Sequence, residues 1–157
     1  MRRPALALVL CVLATPALAG RVVVHLEPSA PVGLSAGSAG TATLAFEVDP
    51  GYYVQANPAA ADYLKPVLVE VSNGCGVVVG APVYPPGRPH RIEGAEADLS
   101  IYAGRFEVRV PLTAGRESLP VPCALRGTLR YQACDSRTCL PPARIPLTLP
   151  LKAAARR

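Results

Sequence analysis

The residues of this chain best suited to chemistry are two cysteines, Cys134 and Cys139, in the segment YQACDSRTCLPP. Only four residues separate them, so a disulfide between them would close a short loop. Loop-closure entropy gives such a crosslink about 2 kcal/mol of stabilisation, against about 4 kcal/mol for one that closes the long loop from Cys75 to Cys123. Tight or exposed disulfides are also the more reducible ones. We therefore predict Cys75–Cys123 as a structural disulfide and Cys134–Cys139 as the working pair.

The charged residues around this pair suggest how its two sulfurs would divide the work. Thiol–disulfide exchange requires a thiolate that can reach its target. Arg137 precedes Cys139 by two residues, and its positive charge would favour the thiolate there. Asp135 adjoins Cys134 and would act in the opposite direction. Cys139 is thus predicted as the attacking or attacked sulfur and Cys134 as its internal partner.

The N-terminus predicts export. A basic start is followed by a short apolar stretch, and Ala17 and Ala19 form the small-x-small pattern of a signal peptidase site. We expect residues 1–19 to be a signal peptide that carries Cys11 away with it. An even number of cysteines then remains in an oxidising compartment, which favours disulfides over free thiols.

Composition and length exclude several other classes of function. We expect one domain over residues 20–151, with 152–157 as a frayed tail. The 157 residues include 16 basic and 11 acidic ones, and the basic ones are scattered, so nucleic acid binding is not expected. No second apolar segment has membrane length, so no stable membrane insertion is expected after signal cleavage. The chain has no motif of hydrolytic catalysis and no phosphate loop, and we expect no cofactor.

Short strands separated by turns dominate the rest of the chain. The 18 prolines interrupt every window of helical periodicity, while β-branched and alternating runs recur. Strands are predicted over 22–26, 41–48, 52–55, 67–71, 77–79, 99–102, 106–110, 125–131 and 145–149, and the Pro- and Gly-rich stretch 82–98 is predicted as a long loop. This spacing favours an all-β, immunoglobulin-like two-sheet sandwich, with a small barrel as the alternative.

The cysteine segment resembles a known family. Its Tyr-Gln-x-Cys and Cys-x-Pro-Pro ends, the upstream Gly51-Tyr52-Tyr53 and the Ile101-Tyr102 before an alternating strand are similar to the N-terminal periplasmic domain of the DsbD family of thiol:disulfide interchange proteins. The resemblance covers nearly the whole chain after the signal peptide. It implies an immunoglobulin-like domain in the periplasm with one exchanging cysteine pair.

The resemblance also implies roles and partners. Cys139 would form mixed disulfides and Cys134 would resolve them, while Tyr53 matches an aromatic residue beside the pair. Tyr53 also fits the simpler role of core filler on a strand. Electrons would come from a thioredoxin-like domain fed by a membrane thiol reductase. They would pass to periplasmic acceptors such as disulfide isomerases or the thioredoxins of cytochrome c maturation.

Three features depart from the family pattern. The chain stops without a membrane domain or a thioredoxin-like domain, so the electron donor would act in trans. The segment 93–98 matches a shielding loop but lacks Phe and Tyr, so that either shielding is absent or Tyr84 or Tyr102 replaces it. Cys75 and Cys123 lie outside the pattern, as an added crosslink or as a second redox pair.

Two further hypotheses stay open on the sequence alone. In the first, the domain is a non-catalytic immunoglobulin-like binding module, and both disulfides are permanent. In the second, the two thiolates and either His25 or His90 hold Cu(I) or Zn(II). The Cys-x4-Cys spacing and the distance of both histidines in sequence argue against this, and we predict no metal site.

Overall fold

The computed structural model describes residues 21–92, 97–117, 120 and 122–154. The predicted signal peptide lies outside these residues. The described chain forms twelve strands and no helix, and therefore no helix of the length and hydropathy that a membrane span requires. The strands are β1 Val24–Leu26, β2 Val32–Leu34, β3 Ala39–Val48, β4 Tyr53–Gln55, β5 Leu68–Val71, β6 Val77–Val79, β7 Arg88–His90, β8 Leu99–Tyr102, β9 Arg105–Ala114, β10 Cys123–Tyr131, β11 Ala133–Cys134 and β12 Ala143–Ala153.

These strands form three four-stranded sheets. Their orders are β1-β3-β9-β6 in the first sheet, β2-β12-β10-β5 in the second and β11-β4-β8-β7 in the third. The first two sheets share one buried apolar cluster, to which the inner face of the third also contributes. The prediction of an all-β, immunoglobulin-like sandwich is confirmed, whereas the small barrel is not observed. The third sheet is an addition that the sequence does not predict.

Period-two alternation builds the core between the two large sheets. In β3 every second residue from Ala42 to Val48 is buried, and in β9 every second residue from Phe106 to Ala114. The facing layer consists of leucines of β10 and β12, namely Leu125, Leu129, Leu147, Leu149 and Leu151. Burying each such leucine contributes about 1.5–3 kcal/mol, so the packing of this layer against the first sheet stabilises the fold.

The third sheet uses its two faces differently. Val54 in β4, Tyr102 in β8 and Ala133 in β11 point into the main core. Their neighbours along the strands point to the other side, where Tyr53, Ile101 and Cys134 form a separate small cluster. Alternation along short strands thus places Cys134 on the outer face of the sheet.

The Cys75–Cys123 disulfide lies at one end of the sandwich, with the two Cα atoms 6.4 Å apart. Gly74 and Val77 exchange two backbone hydrogen bonds around a two-residue turn. Cys75 and Gly76 form that turn with φ values of 55° and 71°, the conformation of a type I′ turn. The disulfide ties this turn, which connects the second sheet to the first, to the first residue of β10.

All nine predicted strands are present, and three short strands, β2, β7 and β11, are additional. Strand β7 lies in the stretch predicted as a long loop. It forms by pairing with β8. Pro89 is tolerated there because β7 is the edge strand of the third sheet. The sequence predicts Lys152 and Ala153 in a frayed tail. In the structure they belong to β12, because they pair with Gly33 and Leu34 of β2.

Gly127 in the middle of β10 generates a prediction about stability. A Cβ atom at this position would collide with the carbonyl oxygen of Glu70 and approach Val71 Cγ2 to 3.0 Å. We expect Gly127→Ala to lower the free energy of unfolding by about 1–3 kcal/mol, the usual cost of overpacking. Urea denaturation followed by circular dichroism measures the change.

Gly33 in β2 is the matched control for this substitution. A Cβ atom at Gly33 would meet its nearest neighbour, Lys152 Cε, at 3.5 Å, which is ordinary van der Waals contact. Gly33→Ala should therefore change the free energy of unfolding by less than about 1 kcal/mol. Equal effects of the two substitutions would contradict the explanation by close backbone approach.

Candidate functional site

Cys134 and Cys139 form a disulfide across a short hairpin, and their Cα atoms are 3.9 Å apart. The two residues are also paired as an antiparallel bridge. On the inner side of the turn the Asp135 N–H donates to the Thr138 carbonyl at 2.9 Å. On the far side of the disulfide the Leu140 N–H donates to the Ala133 carbonyl at 2.8 Å. Backbone hydrogen bonds thus flank the disulfide on both sides.

The Asp135 side chain closes the turn between the two cysteines. Its Oδ1 accepts the N–H groups of Arg137 at 2.7 Å and Thr138 at 2.8 Å. These hydrogen bonds, aided by the charge of Arg137, lower the pKa of the carboxyl from its ordinary value of 3.8. The sequence predicts that Asp135 opposes thiolate formation, but the structure directs its carboxylate onto the turn's own backbone.

The two sulfurs of the pair differ in their access to solvent. Cys134 is 5% exposed and packs against Tyr53 and Ile101. Cys139 is exposed at the edge of the hairpin. A partner protein can therefore approach the Cys139 residue much more readily than Cys134.

Tyr53 lies directly beside the disulfide. It is the cross-strand partner of Cys134 in β4 and is 8% exposed. Burial, with the nearby negative charge of Asp135, raises the pKa of its phenol above 10.0, so the phenol is neutral at physiological pH. The ring of Tyr53 contacts the imidazole of His90, with centroids 4.7 Å apart and planes tilted by 44°.

These residues line an open groove of about 440 Å³. One wall is the end of β7 and the two residues that follow it; the other is the hairpin turn with Cys139. The lining residues are Tyr53, His90, Arg91, Ile92, Asp135, Ser136, Arg137, Thr138 and Cys139. The predicted supporting residues Tyr53 and Arg137 thus both lie in the groove that Cys139 opens into.

The two tyrosines considered as shields for the pair lie elsewhere. Tyr84 accepts the Val69 N–H at 2.9 Å, and Tyr102 donates to the Pro85 carbonyl at 2.8 Å. Both rings pack against the main core and not against Cys134. Residues 93–96 of the predicted shielding loop lie outside the described part of the chain.

His25 and His90 differ in their relation to the cysteine pair. His25 is bound to Asp49 at 3.0 Å, with a side chain about half exposed, and is not part of the groove. Within the described residues, no three His, Cys, Asp or Glu side chains are grouped as a metal would require.

The sequence does not predict that His90 lies in the groove beside Tyr53. It lies in the Pro-rich stretch 82–98, where no alternation marks a strand. Its position depends on the pairing of β7 with β8, which brings it opposite Leu99. The only available sequence signal is that it is one of two histidines in the chain.

Comparison with known proteins gives a family match and similar solved structures. Residues 23–149 match the family described as thiol:disulfide interchange protein DsbD, N-terminal. The crystal structure of the Neisseria meningitidis DsbD N-terminal domain in its reduced form is similar to this chain with a TM-score of 0.46 and 16% sequence identity. The match covers 69% of this chain and 74% of that one. None of the curated proteins compared with the chain matches it.

The hydrogen bonds of Asp135 predict a titration at low pH. The pKa of the Asp135 carboxyl is lowered in the folded protein. The carboxylate therefore accepts both hydrogen bonds above the ordinary Asp range, and this stabilisation is lost as the pH falls through the lowered pKa. The amide resonances of Arg137 and Thr138 in NMR spectra should shift with a midpoint below 3.8. A midpoint at or above that value would contradict the assignment.

Two substitutions at Asp135 separate the acceptor from the charge. Asp135→Ala removes the acceptor, so hydrogen exchange at the Arg137 and Thr138 amides should become faster. Asp135→Asn keeps an oxygen acceptor and should leave exchange between that of the wild type and that of the alanine variant.

Proposed function

The chain belongs to the DsbD N-terminal domain family, and from this premise we propose that its Cys134–Cys139 disulfide exchanges with the thiols of partner proteins. Family membership implies thiol–disulfide exchange as the general role. One structural observation carries the assignment to this pair: the disulfide joins a buried sulfur to an exposed one beside an open groove. The other disulfide connects a turn to a strand at the far end of β10.

Exchange at this pair proceeds in two balanced steps. A thiolate of a reduced partner attacks Sγ of Cys139, the Cys139–Cys134 bond breaks, and Cys134 leaves as a thiolate that takes up a proton. The partner's second thiolate then attacks the partner sulfur of the mixed disulfide and releases Cys139 as a thiolate, which also takes up a proton. The partner is oxidised to a disulfide, and this chain gains two electrons and two protons. The reverse sequence reduces an acceptor.

The fold tolerates opening of this disulfide. Closing its short loop contributes about 2 kcal/mol, roughly half of what the long Cys75–Cys123 loop contributes. Cys134 also packs in a small cluster on the outer face of the third sheet, apart from the main core. Reduction therefore leaves the two large sheets and their leucine layer in place.

The finer part of the proposal concerns partners and location. The domain accepts electrons from a thioredoxin-like domain or a membrane thiol reductase and passes them to periplasmic acceptors, including those of cytochrome c maturation. Residues 1–19 direct its export to the periplasm. The open groove beside Cys139 supports this relay, because a thioredoxin-like partner must bring its own cysteine into contact with the exposed sulfur.

Covalent trapping tests which sulfur is attacked. The Cys139 thiol of Cys134→Ala is converted by dithiobis(nitrobenzoate) into a mixed disulfide with thionitrobenzoate. A thioredoxin that lacks its resolving cysteine then attacks this bond and displaces thionitrobenzoate. We expect a mixed disulfide at Cys139, detected by non-reducing electrophoresis and peptide mass mapping. Cys139→Ala, treated in the same way, should yield about tenfold less because Cys134 is buried. Equal yields from the two variants would contradict the assignment of Cys139 as the attacked sulfur and Cys134 as its internal partner.

Selective reduction tests which disulfide works. In the oxidised wild-type protein, a dithiothreitol titration followed by mass mapping should open Cys134–Cys139 first, at a potential above about −300 mV. Cys75–Cys123 should remain oxidised under these conditions and serves as the internal control. A Cys134–Cys139 bond that resists reduction to the same extent would favour the non-catalytic binding module with two permanent disulfides.

A further inference from the structure

His90 is held in the groove by the backbone of the third sheet. It ends β7, pairs with Leu99 of β8 and packs its imidazole against the Tyr53 ring. Tyr53 is in turn the cross-strand partner of Cys134. A continuous path of paired strands thus places an imidazole in the groove that the hairpin turn and Cys139 also line.

We propose that His90, in its protonated form, increases the thiolate population of Cys139 in the reduced protein. The inference rests on the proposed function, in which Cys139 is the exchanging sulfur. A thiolate is stabilised by cations near it, and the imidazole is the side chain that gains its charge within the neutral pH range. His90 thereby connects the reactivity of Cys139 to pH.

The other charges that face His90 do not duplicate this effect. On its own segment, Arg91 is bound to Asp98 at 3.0 Å, which reduces its influence across the groove. On the floor, the Tyr53 phenol is neutral because burial raises its pKa. Glu93 and Glu96 follow in the chain and lie outside the described residues.

The hairpin wall carries one charge of each sign. The Asp135 carboxylate accepts two backbone N–H groups of the turn. Arg137 is exposed, and its guanidinium stays charged at every physiological pH. Arg137 carries the same charge at about pH 6 and about pH 8, so it would favour the thiolate equally at both. The effect of His90 would fade with rising pH, because a histidine side chain loses its proton in the neutral range. This difference in pH dependence separates the two residues.

Alkylation of a single thiol tests the proposal without any partner protein. In the Cys134→Ala background, with Cys75–Cys123 oxidised, the rate of iodoacetamide reaction at Cys139 reports its thiolate fraction. His90→Asn removes the charge, and His90→Phe also removes it but keeps an aromatic ring on Tyr53. His25→Asn is the matched control, because His25 lies outside the groove.

We expect both His90 variants to react about threefold more slowly than the background below about pH 6.5, the loss expected for one partly exposed charge interaction. The ratio should approach one as the pH rises, because a histidine side chain in general carries its charge only at the lower end of the neutral range. His25→Asn should match the background throughout. Thermal unfolding identifies any variant that fails to fold, and the other His90 variant then carries the test.

Two results would overturn the proposal. If the pH profiles of both His90 variants coincide with the background, His90 does not influence the thiolate. If His90→Phe alone restores the background profile, the ring acts only by packing on Tyr53. Neither result bears on whether the wild-type disulfide is reducible, which the dithiothreitol titration measures, so the two proposals fail separately.

Discussion

Side chains alternate between the two faces of a strand, and in β11 this constraint places a core residue and a disulfide cysteine on opposite faces of the third sheet. Ala133 points into the main core, whereas Cys134 points to the opposite side of the third sheet. A shift of one residue in register would bury the cysteine between the large sheets and expose the alanine. The pairing of β11 with β4 therefore determines whether the sulfur can react.

The disulfide is surrounded both by contacts within its own hairpin turn and by residues from strands distant in sequence. The turn is local, because Asp135 organises it through hydrogen bonds within three residues. The groove is not local, because Tyr53 and His90 come from β4 and β7 and are brought together only by the third sheet. The hairpin thus supplies the two sulfurs, and distant strands supply their surroundings.

The sequence predicts the parts of this protein that repeat a pattern. The alternating run 41–48 becomes most of β3, and the spacing of the cysteines predicts both disulfides. It does not predict β2, β7 or β11, which have two or three residues each and form only because a longer strand is available for pairing. The sequence suggests His90 only as a metal ligand for the same reason, since its contact with Tyr53 depends on one of these short strands. The difference in exposure between Cys134 and Cys139 likewise follows from pairing with β4 and not from composition.

The placement of the two disulfides at opposite ends of β10 has a consequence for how the molecule handles oxidation. Strand β10 spans about 27 Å at the usual rise per residue, and sulfur exchange requires direct contact between sulfur atoms. In the folded chain, Cys134 and Cys139 therefore cannot scramble with Cys75 and Cys123. Mispaired isomers within one chain can arise only before β10 has formed.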